Sequence, residues 1–132
     1  MDHTVVHFEI PADDPQRAAA FYRELFGWEI QKWEPAGEQR EETEYWLVST
    51  VPSDEQGRPT RAGVNGGMLP RQHPDHAPVN YFSVESVDDY AKKVVKLGGK
   101  VVVPKTPVPG MGHFAWVTDT EGNTFALWET AA

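Results

Sequence analysis

Val5 to Trp28 reads VVHFEIPADDPQRAAAFYRELFGW, and its pattern decides the fold. Val5, His7 and Glu9 alternate with Val6, Phe8 and Ile10, which is the period of a strand, and Pro11 is expected to break it. Asp14 is placed to cap a helix. Pro15 is placed to open it, because a proline at the first helical position gives up only an amide that has no partner there. Ala18, Phe21, Tyr22, Leu25 and Phe26 share one helical face, and Gly27 supplies the left-handed residue that ends the helix. Val79 to Gly99, VNYFSVESVDDYAKKVVKLGG, repeats the unit. A strand leads to a Ser86 cap with Asp89 three residues on, then to a face of Val87, Tyr90, Ala91 and Val94, then to Gly98-Gly99. The two strands correspond at an offset of 74 and the helix ends at 72, so the chain is one duplicated unit and not a long-period repeat.

Outward from these two stretches, Trp28–Trp33, Tyr45–Val51 and the glycine-rich Gly63–Leu69 read as strands, with a strongly charged, solvated loop at residues 34–44. The glycines of GVNGGML do not form a phosphate loop, since no helix start and no Gly-Lys-Ser/Thr follows. Residues 70–78, PRQHPDHAP, read as an exposed linker, with Pro74 separating His73 from His76 and no further metal ligand nearby. After the second helix come a strand at Lys100–Val103, a proline-glycine loop at Pro104–Gly112, and a hairpin at His113–Glu129 turning at Asp119–Gly122. The organisation is a single domain over residues 1–132, built from a module at 1–69, a linker at 70–78 and a module at 79–132. The order is βαβββ twice, an α+β fold. Each module leaves one face of its sheet without a helix, so two such sheets can curl against each other, or against a second chain, to enclose a cavity.

Composition narrows the partners. A net charge of −8 with scattered Lys and Arg argues against nucleic acid. The chain has no cysteine, which removes thiolate chemistry and disulfides. No 18-residue apolar run and no apolar leader is present, so no membrane partner is expected and a cytoplasmic location is the default.

Three stretches, DPQRAAAFYRELFGW, SVESVDDYAKKVVKLGGK and GHFAWVTDTEGNTFALWE, resemble the vicinal oxygen chelate superfamily, which holds glyoxalase I, bleomycin-resistance proteins and extradiol dioxygenases. The chain is most similar to the group described as predicted enzymes related to lactoylglutathione lyase. The resemblance implies two tandem βαβββ modules forming a cupped mixed sheet with helices on the outer face, a ligand or metal in the cup, and a homodimer. It also implies metal ligands on the first and last strands of each module. Those positions fall on His7, Val79, Ala126 and one of Asn65, Gly66 and Gly67. Valine and alanine donate nothing to a divalent ion, so the metal site is read as absent and no cofactor is expected.

Strand parity places His7 with Glu9, Tyr81 with Val79 and Ser83, and Trp128 with Ala126. A four-residue turn at Asp119–Gly122 sets His113 opposite Trp128 and Ala115 opposite Ala126. The expected ligand-binding residues are therefore His7, Glu9, Tyr81, His113 and Trp128, with His7 and Glu9 the candidates for catalysis. Glu9 is alternatively tied to backbone or to an arginine such as Arg17. Two functions follow. One is a metal-independent protein binding a small apolar or aromatic molecule in the cup. The other is a lyase, isomerase or dioxygenase using a non-standard metal site or a His7/Glu9 acid–base pair.

Overall fold

A computed structural model describes residues 1–33, 44–55 and 57–131. Apart from Glu44, the expected charged loop at residues 34–44 lies outside the described residues. The elements are β1 (Val5–Ala12), α1 (Pro15–Phe26), β2 (Glu29–Lys32), β3 (Trp46–Ser49), β4 (Gly66–Pro70), β5 (Val79–Ser83), α2 (Val87–Lys96), β6 (Lys100–Val108), β7 (Gly112–Thr118) and β8 (Thr124–Thr130). This is βαβββ twice, a mixed α+β fold. The chain forms two compact units, residues 7–78 and residues 1–6 with 79–132, here the N-terminal and C-terminal modules. The first two residues of β1 thus belong to the C-terminal module, and the rest of the strand to the other.

The helix ends follow local chemistry. The Asp14 carboxylate accepts the Arg17 amide at 3.1 Å, Pro15 opens α1, and Gly27 closes it at φ 71°, donating to the Arg23 carbonyl at 2.8 Å. Ser86 caps α2 in the same way, accepting the Asp89 amide at 3.1 Å. Asp14→Ala is expected to cost about 1 kcal/mol, read as a fall of a few degrees in the thermal midpoint.

In the N-terminal module the strand order is β2-β3-β4-β1, with β1 and β4 parallel and the other pairs antiparallel. Ala12, Ala19, Ile30, Trp46, Val48 and Met68 form its core, with Phe8, Ile10, Ala18, Tyr22 and Trp28 packed on it. The expected helical face is rotated, since Phe21, Leu25 and Phe26 are 56–60% exposed. Trp46, Met68 and Ile30 fill the space above the sheet, so α1 approaches through its small residues Ala18 and Ala19. β1 also continues through Pro11 to Ala12. The Ala12 carbonyl accepts the Arg71 amide at 3.0 Å, so the neighbouring Pro11 nitrogen points away from β4 and its missing N–H breaks no bond of that ladder. In the linker, His76 is buried at 3% exposure and not exposed as expected, because its Nδ1 accepts the Gln72 amide at 3.1 Å and its ring stacks on His73.

In the C-terminal module the order is β5-β8-β7-β6, with β5 and β8 parallel. Val84, Val87, Ala115, Val117 and Leu127 form the core under α2, whose Tyr90, Ala91 and Val94 pack on it as expected. Residues 1–6 fasten to this module. The Thr4 carbonyl accepts the Ser83 amide at 3.1 Å, and His3 bridges the Ser83 carbonyl (2.8 Å) and the Tyr90 hydroxyl (3.1 Å). β6 runs to Val108 through Pro104 and Pro107, where a loop is expected. It is the last strand of the order, and its register slips twice against β7, so the prolines sit where an amide is dispensable. The hairpin turn is one residue shorter than expected. Asp119 Oδ1 accepts the amides of Glu121 (2.8 Å) and Asn123 (2.9 Å), and the Asp119 amide bonds the Asn123 carbonyl at 3.0 Å. The loop is therefore residues 120–122, closed by Gly122 at φ 82°. These hydrogen bonds, those from Asn123 foremost, hold the Asp119 carboxyl below the usual carboxylate range.

Candidate functional site

In the N-terminal module, the face of the sheet away from α1 carries a row of hydrogen-bonded polar groups. Phe8, Ile10 and Ala12 of β1 pack toward the helix, so the alternation turns His7 and Glu9 to the other face. Glu9 pairs with Gly67, and Gly67 with Leu47, which places Tyr45, two residues before Leu47, on the same face. The Tyr45 hydroxyl lies 2.8 Å from His7 Nε2 and donates to Glu9 Oε2 at 2.9 Å. Because that proton goes to the carboxylate, His7 Nε2–H is the donor to the tyrosine oxygen, which fixes the histidine tautomer. Gly67 makes room for this arrangement, since a Cβ there would stand 1.8 Å from Tyr45 Oη and 2.2 Å from Cζ. Glu9 is 7% exposed. Burial removes the water that would stabilise an imidazolium, and lowers the His7 pKa from 6.5 to about 4. At neutral pH the ring is uncharged. Arg17 stands elsewhere, exposed in a groove of about 430 Å³ shared with Asp13, Phe21 and Arg71.

In the C-terminal module, the face away from α2 is aromatic. Val79, Tyr81 and Ala126 are buried, with Phe114, Trp116 and Trp128 packed on them. Ala126 pairs with Tyr81 on β5 and with Trp116 on β7, and Trp116 Nε1–H donates to the Tyr81 hydroxyl at 2.9 Å, spanning the alanine between them. Tyr81 and Trp128 thus share a face, as expected. His113 does not join them. With the shorter turn it pairs with Glu129, Ala115 pairs with Leu127, and Phe114 takes the place opposite Trp128. His113 therefore lies on the face that carries α2, where its Nδ1 is 3.9 Å from Glu129 Oε2 while Glu129 Oε1 accepts the Val87 amide at 2.9 Å.

The side chains at the positions implied for metal ligands do not fit a divalent ion. His7 Nε2 is engaged by Tyr45, and Val79 and Ala126 offer no donor. The Asn65 amide accepts from the Thr50 and Val51 amides (2.7 and 3.0 Å) and donates to the Val51 carbonyl (3.0 Å) and Ser53 (2.9 Å). Among the described residues no three His, Cys, Asp or Glu side chains converge as a metal site. Tyr45 was missed from the sequence. The signal was its parity with Leu47, but only the pairing of β3 with β4 shows that the phenol crosses a glycine.

Two units, each with a first strand that leads into a helix and pairs in parallel with the last strand of the same unit, make up a duplicated βαβββ fold. This chain belongs to the Glyoxalase/Bleomycin resistance protein/Dioxygenase superfamily, whose model matches residues 4–127. It is 28% identical over 130 residues to a Mycobacterium bovis protein named as a glyoxylase, CFP32, an alignment that covers 97% of this chain and 44% of that protein. The chain thus spans less than half the length of that relative. It is 30% identical over 125 residues to a glyoxylase-like domain-containing protein of Didymella fabae, covering 90% and 88% of the two chains. Among solved structures, a Streptomyces coelicolor methylmalonyl-CoA epimerase in complex with 2-nitronate-propionyl-CoA shares the fold with a TM-score of 0.66 at 16% identity, covering 99% of this chain and 100% of that one. Among the described residues no helix is long and apolar enough to cross a membrane.

Proposed function

We propose that the chain binds a small molecule with an apolar or aromatic body, without a metal, on the helix-free face that carries His7, Tyr45 and Glu9. The row of three hydrogen-bonded groups carries this reading. A neutral imidazole, a phenol and a carboxylate, ordered in advance, offer a ligand directional polar contacts. The His7 pKa of about 4 supports binding over general-base catalysis by that ring at neutral pH, since a base works best with a pKa near the working pH. The second reading, a lyase, isomerase or dioxygenase, draws on one observation: Tyr45 joins His7 to Glu9 in a continuous donor–acceptor row along which a proton can pass.

The test is a thermal-shift screen of aromatic and carbonyl-bearing compounds, followed by calorimetric titration of the hits. Tyr45→Phe is expected to weaken a true ligand about tenfold, the worth of one or two neutral hydrogen bonds. A hit indifferent to both Tyr45→Phe and His7→Ala sinks the assignment of the site, and chemical conversion of a hit favours the enzyme reading. The absence of cysteine supports a cytoplasmic location. The exposed Phe21, Leu25 and Phe26 of α1 support a homodimer as the partner state, and sedimentation of the purified chain at micromolar concentration decides it.

A further inference from the structure

We infer that the groove beside the start of α1 binds a small zwitterion with an aromatic body, the class to which aromatic α-amino acids belong. The groove lies on the helix side of the N-terminal module, away from the face that carries His7, Tyr45 and Glu9, and its volume of about 430 Å³ suits a ligand of that size. Its apolar lining includes Ile10, Pro11 and Ala18. Phe21 also lines it, 60% exposed yet set in place, since its ring meets Tyr22 edge to face at 5.3 Å and Tyr22 stacks on Trp28 at 5.3 Å. Leu25 and Phe26 lie outside the groove.

The charges identify the head group. Asp13 is neutralised by Arg71 at 2.9 Å, and Arg71 also donates to the His76 carbonyl. Asp14 and Arg17 are not neutralised in this way. Asp14 Oδ1 accepts the Arg17 amide at 3.1 Å, but among the described residues no carboxylate forms an ion pair with the Arg17 guanidinium. A ligand that is only an anion meets Asp14 as well as Arg17, and one that is only a cation meets Arg17 as well as Asp14. A ligand carrying both charges beside a ring satisfies all three groups. The duplication supplies an internal comparison. With Ser86 aligned on Asp14, Asp89 stands at the place of Arg17, Tyr90 at that of Ala18 and Lys93 at that of Phe21. There the chain covers its own ring: Lys93 Nζ lies 4.5 Å above Tyr90, and His3 bonds the Tyr90 hydroxyl at 3.1 Å. In the N-terminal module Ala18 leaves room, Phe21 presents an uncovered ring, and the ammonium is left to a ligand.

The experiment titrates the full chain by calorimetry with three probes: L-phenylalanine, phenethylamine, which lacks the carboxylate, and 3-phenylpropionate, which lacks the ammonium. L-Phenylalanine is expected to bind at about 1 mM or tighter, and each analogue several times more weakly. Arg17→Gln is expected to weaken L-phenylalanine about fivefold without weakening phenethylamine. Asp14→Asn, which keeps the helix cap, is expected to weaken L-phenylalanine to a similar degree without weakening 3-phenylpropionate. Phe21→Ala is expected to abolish binding of all three. Absence of L-phenylalanine binding, or equal binding of the three probes, overturns the inference. Binding that responds to Tyr45→Phe and not to Arg17→Gln overturns it too, while supporting the function proposed above. Binding that responds to Arg17→Gln and not to Tyr45→Phe supports the groove, whatever becomes of that function.

Discussion

Gly66→Ala is expected to destabilise the fold by about 3 kcal/mol or more, while Gly67→Ala, one residue on, is expected to leave the fold standing and dismantle the site. The two glycines face opposite sides of β4. A Cβ on Gly66 would stand 2.4 Å from the Phe8 carbonyl oxygen and 2.7 Å from the Phe8 ring, against backbone that cannot swing away without breaking the β1–β4 ladder. A Cβ on Gly67 meets only the far end of the Tyr45 side chain. That ring rotates off the sheet, and the hydrogen bonds to His7 and Glu9 go with it. Thermal melts separate the two, with a fall of about 10 °C for Gly66→Ala and a few degrees at most for Gly67→Ala. Ligand titration gives the reverse order, since Gly67→Ala mimics Tyr45→Ala. Equal loss of stability in both variants contradicts the assignment of the two faces.

Acid is expected to remove about 3 kcal/mol of stability through His7 alone. In the unfolded chain this ring takes up a proton as pH falls through 6.5, and in the folded chain only near 4. Between those values the unfolded state binds more protons, so stability falls as pH falls, and the full contribution is present above 6.5. His76 is shifted in the same direction, by burial first and then by His73 and Arg71, and so adds to the same slope. Urea unfolding at pH 7.0, 5.5 and 4.5 measures the effect. His7→Gln, which keeps a donor for Tyr45 but does not titrate, is expected to flatten most of the slope and leave the share of His76. An unchanged slope in His7→Gln shows that the ring is solvated in the folded chain.

The parts of the fold governed by neighbours in sequence were legible in the residues. Asp14, Pro15, Gly27 and Ser86 act within four residues of themselves, and each sits where it was expected. Misreadings came where a residue's meaning depends on what lies beside it in space. Pro104 and Pro107 read as a loop because a proline is tolerated in a strand only at an edge, and the edge position of β6 is set by the order of the other strands. The hairpin register slipped by one because the Asp119 carboxylate draws in two amides, and that single residue moved His113 to the opposite face. The site divides in the same way. His7 and Glu9 lie two apart on one strand, so parity sufficed. Tyr45 comes from 36 and 38 residues away, across a stretch whose length says nothing of pairing.

The attachment of residues 1–6 to the C-terminal module means that the duplicated unit of sequence is not the compact unit of the structure. His3, in this stretch, finds Ser83 and Tyr90 as partners 80 and 87 residues further along the chain. A cut within residues 70–78 yields neither module whole. The leading fragment carries a stretch that belongs to its sibling, and the trailing one lacks its first strand segment.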